Sequence, residues 1–315
     1  MLLQDGDIII ADTAEDETVG KATEIINTSS RKIVSGLHTI ACRPKIKMMP
    51  TYLGFYLNSE AYHKQLYALM QGIKVLSISK SNIETTIIKY PCIAEQEKVC
   101  SLLCLIEKRI NKQKQLIEHI KKYKRGVSQA IFTRKIRFGN SSTFPEWKTK
   151  KVGEICKIQT GKSNTQDETN SGLYDFYVRS PIVRKSNRYL FDCEAVLTVG
   201  DGVGTGKVFH YVTGKFDLHQ RVYAMTNFSE VSGKYFYYYF SQFFYNRVMK
   251  MTAKTSVDSV RYEMIDKMDI IFPSIEEQQL IVNFLLNIEN RLLYAEKILE
   301  KLESTKKGLL QQLFI

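Results

Sequence analysis

The residues whose types could do chemistry are a glycine-rich turn closed by lysine, five histidines and six cysteines. None falls into a spacing that performs catalysis. The turn Gly200-Asp201-Gly202-Val203-Gly204-Thr205-Gly206-Lys207 ends in the Gly-Lys pair of a phosphate-cradling loop. Such a loop also needs glycine where Asp201 stands and serine or threonine where Val208 stands, and the dinucleotide pattern needs glycine at Lys207. The sequence after the turn predicts a strand, so no helix N-terminus follows to hold a phosphate. The glycines are read as a turn. Lys207, and Lys21 after Gly20, are read as cations on loop tips, placed to meet either a DNA phosphate or water.

His38, His63, His119, His210 and His219 lack metal-ligand spacing. His38 and His219 each adjoin an apolar strand; a hydrogen-bonded structural role is the first reading and contact with a base the second. Glu146-Trp147-Lys148 resembles the tail of a nuclease signature, but the nearest upstream aspartate is Asp16. The Asn/Asp-Pro-Pro-aromatic tetrad used in amino methylation does not occur. Cys42, Cys92, Cys100, Cys104, Cys156 and Cys193 form no paired framework and read as buried thiols of a reducing compartment. No metal or cofactor is expected, and the chain is not expected to be an enzyme. No segment is apolar for long enough to span a bilayer, and no signal peptide is recognised, so a cytoplasmic location is the expectation.

Basic residues are a different matter. The formal net charge over 315 residues is +12, which favours a polyanionic partner, nucleic acid before membrane. Lys108, Arg109, Lys112, Lys114, Lys121, Lys122, Lys124, Arg125, Arg134, Lys135 and Arg137 crowd a stretch whose acids are mainly Glu107 and Glu118. A second cluster, Arg179, Arg184, Lys185 and Arg188, is interleaved with Tyr174, Phe176, Tyr177 and Tyr189. Basic side chains bind phosphate and read guanine edges, while aromatic rings pack or stack.

The elements that must position these groups are two copies of one long helix. Val99, Leu103, Ile106, Ile110, Ile117, Ile120, Val127 and Ile131 alternate steps of four and three. Ile281, Leu285, Ile288, Leu292, Leu299, Leu302, Leu309 and Leu313 repeat them at one constant offset. That spacing keeps one stripe facing a partner helix. Lys124 and Lys306 interrupt the seam at the same position, whereas Gln113 is answered by Ala295. Both helices follow a proline, Pro91 and Pro273. The segments before them repeat as well: strands over Asp7–Ala11 and His38–Cys42, a helix over Thr51–Met70, and a strand ending at Tyr90. These answer to Phe191–Val199, the stretch up to Met225, a helix over Ser232–Met251, and a strand over Met268–Phe272. His38 aligns with His219. The second half carries an additional segment, from about Phe144 to Leu190, without a counterpart in the first; either the first unit is shortened at its N-terminus or it is smaller by nature, and shortening is the expectation.

The halved architecture resembles the DNA specificity (S) subunit of type I restriction-modification systems. The local stretches behind the resemblance are Trp147–Gly161, Asp175–Arg179, Gly202–Lys207, Asp217–Gln220, and the pair Ile93–Gln96 and Ile275–Gln278. The resemblance implies an α+β fold: two globular target recognition domains, small twisted sheets with helices, separated and followed by long helices forming an antiparallel coiled coil. On this reading residues 1–92 are a partial first recognition domain, 93–137 the first spacer helix, 138–274 a complete second domain and 275–315 the second helix. Each domain would read half of a bipartite site in double-stranded DNA. The helices, about 38 residues and so roughly 57 Å long, would set the spacing and dock the methyltransferase (M) subunits, with restriction (R) subunits joining through the complex. Methylation and cleavage would belong to those partners. Candidate DNA contacts are Lys162, Arg179, Arg184, Lys185, Lys207, His219 and Gln220, with Lys21 and His38 in the partial domain. Ile110, Ile117, Leu292 and Leu299 are candidates for helix pairing. The alternative is a helical scaffold with only non-specific DNA affinity.

Overall fold

The computed structural model describes residues 2–15, 18–29, 32–72, 74–138, 145–202, 204–251 and 259–314. Val203 of the glycine-rich turn and Phe144 lie outside the described residues. The chain forms two compact units, Met1–Glu118 with Leu293–Ile315, and His119–Leu292.

The first unit begins with β1 (Leu2–Leu3), β2 (Ile8–Ala11), β3 (Thr13–Ala14), β4 (Ala22–Glu24), β5 (Ile33–Val34) and β6 (Thr39–Cys42). There follow α1 (Tyr52–Tyr56), α2 (Glu60–Tyr67), β7 (Leu76–Ser77), α3 (Lys80–Glu84) and the start of α4 (Ile93–Phe132). The antiparallel sheet runs β4-β2-β6. Alternation along β2 turns Ile8 and Ile10 inward against Tyr52, Tyr62, Leu66, Leu103 and Phe314. The single helix expected over Thr51–Met70 is two helices: the Ser59 hydroxyl accepts the Tyr62 N–H and caps a new start, and the Asn58 amide turns away to the Ala22 carbonyl. The strand expected up to Tyr90 does not form. Residues 86–90 have no strand beside them among the described residues, and Ile87 and Ile88 are exposed.

The second unit carries more strands: β8 (Lys148–Lys151), α5 (Val152–Ile155), β9 (Lys157–Thr160), β10 (Tyr174–Tyr177), β11 (Arg184–Ser186), β12 (Phe191–Asp192) and β13 (Ala195–Val199). After them come β14 (Phe209–Val212), β15 (Lys215–Leu218), β16 (Val222–Thr226), α6 (Gly233–Met251), α7 (Tyr262–Asp266), β17 (Asp269–Phe272) and α8 (Ile275–Leu313). One four-stranded sheet runs β14-β13-β16-β9, another β11-β10-β15-β12, and β8 pairs with β17. All five residues of β13 are buried because both of its faces are covered. Val196 joins the aromatic core around Tyr235, Phe236, Phe240 and Phe244 of α6, while Ala195 and Leu197 join Tyr177, Phe216 and Leu218.

Within each unit, segments of α4 and α8 run antiparallel, and the repeat recurs atom for atom. Gln96 and Gln278, both buried, each donate to the carbonyl of the preceding proline and accept a backbone N–H, from Met49 and Ser232 respectively. Lys306 meets Glu107 at 2.5 Å in the first unit, and Lys124 meets Glu289 at 2.7 Å in the second. Also in the first unit, Gln113 donates to the Ala295 carbonyl at 2.8 Å and Lys114 pairs with Glu303. Part of the lysine excess on α4 therefore faces acids of α8. Ile110 and Ile117 are buried, Leu292 and Leu299 half-buried. Val99 and Leu103, like Ile281 and Leu285, belong to the cores of the units rather than to a separate seam.

The helix expected through residue 137 stops at Phe132, where Arg134 turns left-handed (φ 61) and the Lys135 N–H returns to the Ala130 carbonyl. Beyond it Arg137 makes two bonds, 3.0 and 2.8 Å, to the fully buried Glu277. Only Cys100 and Cys156 are buried; Cys92 and Cys104 are exposed, contrary to the expectation of six buried thiols. No helix among the described residues is long and apolar enough to cross a membrane.

Candidate nucleic-acid interface

In the second unit, β9, β10, β13 and β15 all finish at the end of the sheets where β16 begins. Thr160 lies opposite Tyr223, Val199 opposite Val222, and Tyr177 beside Leu218. The loops leaving these strands are tied together by backbone bonds. The N–H groups of Lys162 and Ser163 donate to the Leu218 carbonyl, that of Gln220 to Ser163, and that of His219 to Tyr177. Gly161 permits this, because a Cβ there would lie 1.9 Å from the Leu218 oxygen. Beneath the ties, the buried Asp217 accepts from the Ser163 hydroxyl at 2.6 Å and the Leu218 N–H at 2.9 Å, and Arg188 reaches Ser163, Asp167 and Asp217.

Asp201 organises what projects above. One oxygen lies 3.3 Å from Arg179, the other 3.7 Å from Arg221. One carboxylate between two exposed guanidiniums leaves an excess of positive charge, to which the exposed Lys162 adds. Gln220, exposed and hydrogen-bonded to Asn164, contributes an amide of the kind that reads base edges. A groove beside Asp201, lined by Gln220, Arg221 and Arg261, continues the surface. The glycine-rich turn approaches it, since a Cβ on Gly204 would come within 3.4 Å of the Arg179 carbonyl oxygen. Lys207 at the end of that turn is exposed, its ammonium 5.0 Å from the Tyr245 ring centre.

Of the residues singled out in the sequence, Lys162, Arg179, His219 and Gln220 come together here. His219 does so from inside. It is 4% exposed, its Nδ1 accepts the Arg221 N–H, and burial first, then the Arg179 charge, lowers its pKa and keeps the ring neutral. It holds the loop rather than facing outward. Arg184 and Lys185 stand on the edge strand β11, exposed and paired with Glu168 and Asp175. Of the aromatics, Phe176 and Tyr177 are core, and Tyr174 packs edge-on against Tyr189.

In the first unit, Lys21 is exposed on a left-handed turn at Gly20, and His38, also exposed and left-handed (φ 60), lies 3.7 Å from Asp12. The alignment of His38 with His219 is corrected by the backbone. The Asp12 N–H donates to the His38 carbonyl as the Gly200 N–H donates to that of Arg221, so His38 occupies the place of Arg221. Sequence reasoning missed Asp201 and Arg221. Asp201 had counted only as the residue that spoils a phosphate loop.

The family model for the type I restriction modification DNA specificity domain matches residues 145–304. The chain is 29% identical over 166 residues to the type I restriction enzyme EcoDI specificity subunit of Escherichia coli, covering 53% of this chain and 34% of that protein. It is 23% identical over 274 residues to the MjaVIII specificity subunit of Methanocaldococcus jannaschii, covering 77% and 64%. The alignments thus span less than two thirds of either relative. A solved type I restriction-modification S subunit from M. genitalium has the same fold, with TM-score 0.62 and 14% identity over 99% of this chain and 83% of that one.

Proposed function

Since the chain belongs to the type I restriction modification DNA specificity domain family, we propose that it is a non-catalytic, sequence-specific DNA-binding subunit of a type I restriction-modification complex. Each unit reads one half of a bipartite site, the second through the face around Asp201 and the first around Lys21 and His38. The long helices set the spacing and dock methyltransferase subunits, restriction subunits join through the complex, and methylation and cleavage reside in those partners. A cytoplasmic location accompanies this reading, consistent with six unpaired cysteines. The domain division 1–92, 93–137, 138–274 and 275–315 remains the functional partition proposed.

The observation that carries the proposal is the gathering of Lys162, Arg179, Arg221 and Gln220 on loops fixed by backbone bonds. Cations of the kind that bind phosphate and an amide of the kind that reads base edges stand on loops joined by backbone bonds at one end of the sheets, which supports the reading. Mapping methylated sites in cells carrying this gene and its methyltransferase partner tests it. Two defined half-sites that disappear without this chain are expected; methylation unchanged in its absence, or methyl transfer by the chain alone, would refute it. The scaffold reading draws on the exposed Lys108, Arg109 and Lys112 of α4. It predicts salt-sensitive duplex binding without sequence preference.

A further inference from the structure

The two units carry different side chains at one repeated position. β2 and β13 are inner strands of equivalent sheets and pair antiparallel with β6 and β16, Ala11 opposite Thr39 and Val199 opposite Val222. One residue beyond each pair, the Asp12 N–H donates to the His38 carbonyl and the Gly200 N–H to the Arg221 carbonyl. The side chains at this position stand out from the fold, that of His38 68% exposed and that of Arg221 63%. Behind each lies a carboxylate from the exit of the inner strand. Asp12 Oδ1 is 3.7 Å from the histidine Nδ1, and Asp201 Oδ2 is 3.7 Å from the arginine Nε. The carboxylates themselves are not equivalent, because Asp201 comes one residue later than Asp12. Two different local sequences thus brace the same position.

A brace on the inner nitrogen decides what the side chain has left to offer. The Arg221 guanidinium makes no hydrogen bond to protein among the described residues, so both of its terminal nitrogens are open to a ligand. Their planar fork matches O6 and N7 of guanine in the major groove. Its neighbours are less suited. Arg179 already turns a terminal nitrogen to Asp201, and Arg188 is held by Ser163, Asp167 and Asp217. Exposed Arg261 pairs with no carboxylate among the described residues, and at the offset relating the long helices Ser79 stands in its place. His38, with Nδ1 on the Asp12 side, has Nε2 alone to offer, one hydrogen bond in place of two.

We propose, resting on the reading of this chain as a DNA-binding subunit, that this position sets base specificity in both units. Arg221 reads a guanine through O6 and N7. His38 makes a single hydrogen bond to a base edge at the corresponding place in the other half-site.

Duplexes selected from a random-sequence library by the full chain, and then sequenced, test it. The unaltered chain is expected to enrich a two-part site. Arg221→Lys keeps the charge but loses the fork, and should lower the preference for guanine at one position of one half about 5-fold or more. His38→Arg should create a guanine preference at one position of the other half, and in each variant the half not targeted should stay as it was. Replacing that first guanine by 7-deazaguanine, which lacks N7, should weaken binding of the unaltered chain and leave Arg221→Lys indifferent. Circular dichroism establishes that each variant folds. Sites selected unchanged by both variants overturn the assignment while the DNA-binding reading stands. Weakening of Arg221→Lys that is uniform over all sequences also overturns it, since Arg221 is then a phosphate contact. No enriched site with the unaltered chain overturns the DNA-binding reading and the assignment with it.

Discussion

Arg179 and Asp201 should shift DNA affinity in opposite directions. Arg179 is exposed and its contact with Asp201, 3.3 Å through one nitrogen, is a surface pair worth about 0.2–1 kcal/mol. A DNA phosphate that takes over the guanidinium gains a charge-assisted bond of about 1.5–3 kcal/mol. Arg179→Ala forfeits that bond but no longer breaks the pair, so the net loss is about 1–2 kcal/mol, roughly 5–30-fold in Kd. The salt dependence should fall with it, by about 0.9 in the slope of log K against log salt for one phosphate contact. Asp201→Asn removes the competitor of both Arg179 and Arg221 and a negative charge facing the backbone. Duplex binding should tighten by about 2–10-fold, from the released pairs and a repulsion of about 0.6 kcal/mol at roughly 7 Å in water-like surroundings. Anisotropy titrations of a labelled duplex over roughly 50–300 mM salt measure both quantities. Unchanged affinity and slope in both variants would remove this face from the interface. Equal weakening by both would make Asp201 a structural residue and refute the competition argued here.

Leu299→Asp places a charge on the half-buried flank of the helix pair and should cost about 2–3 kcal/mol; an unchanged urea midpoint would contradict the pairing. Arg137→Ala strands the fully buried Glu277 and should cost about 3 kcal/mol, with Glu277→Leu in the same chain recovering part of the loss; a cost under roughly 1 kcal/mol would show that Glu277 finds another partner. Hydrogen bonds from Arg43 first, then the Gln4 N–H, hold the buried Asp7 carboxyl below its ordinary pKa despite the opposing effect of burial. Its stabilisation is therefore complete above the unfolded carboxylate value, near pH 3.9, and is lost as pH falls through the depressed folded value. Arg43→Ala should move the acid transition of the first unit, followed by circular dichroism, to higher pH, and an unmoved transition would refute this linkage.

The long helices were legible because steps of four and three leave little else for that sequence to do; Gln113 and Ala295 stood out only as a mismatch between the copies, and their contact is a finding of the structure. Local chemistry was harder to read. The break between α1 and α2 depends on Ser59 and Asn58, two polar residues inside an apolar helical pattern. Residues 86–90 have ordinary strand composition, Thr86-Ile87-Ile88-Lys89-Tyr90, yet no strand lies beside them among the described residues, and composition does not encode a neighbour. The site was half legible. Lys162, Arg179 and Gln220 announced themselves by charge or motif, whereas Asp201 and Arg221 join the candidate face only through proximity across loops separated in sequence. His219 and His38 were matched by type, whereas hydrogen bonding matches position.

Two helices that carry the same seam could in principle mate with copies of themselves. The Gln113–Ala295 contact bears on that choice. In an antiparallel pair of two first helices, Gln113 would confront Gln113, two bulky amides where one has room. In a pair of two second helices Ala295 would face Ala295 across a void. Only the mixed pair puts a long amide opposite a small residue whose carbonyl it reaches, at 2.8 Å. A single heterogeneous rung thus discriminates self from non-self partnership.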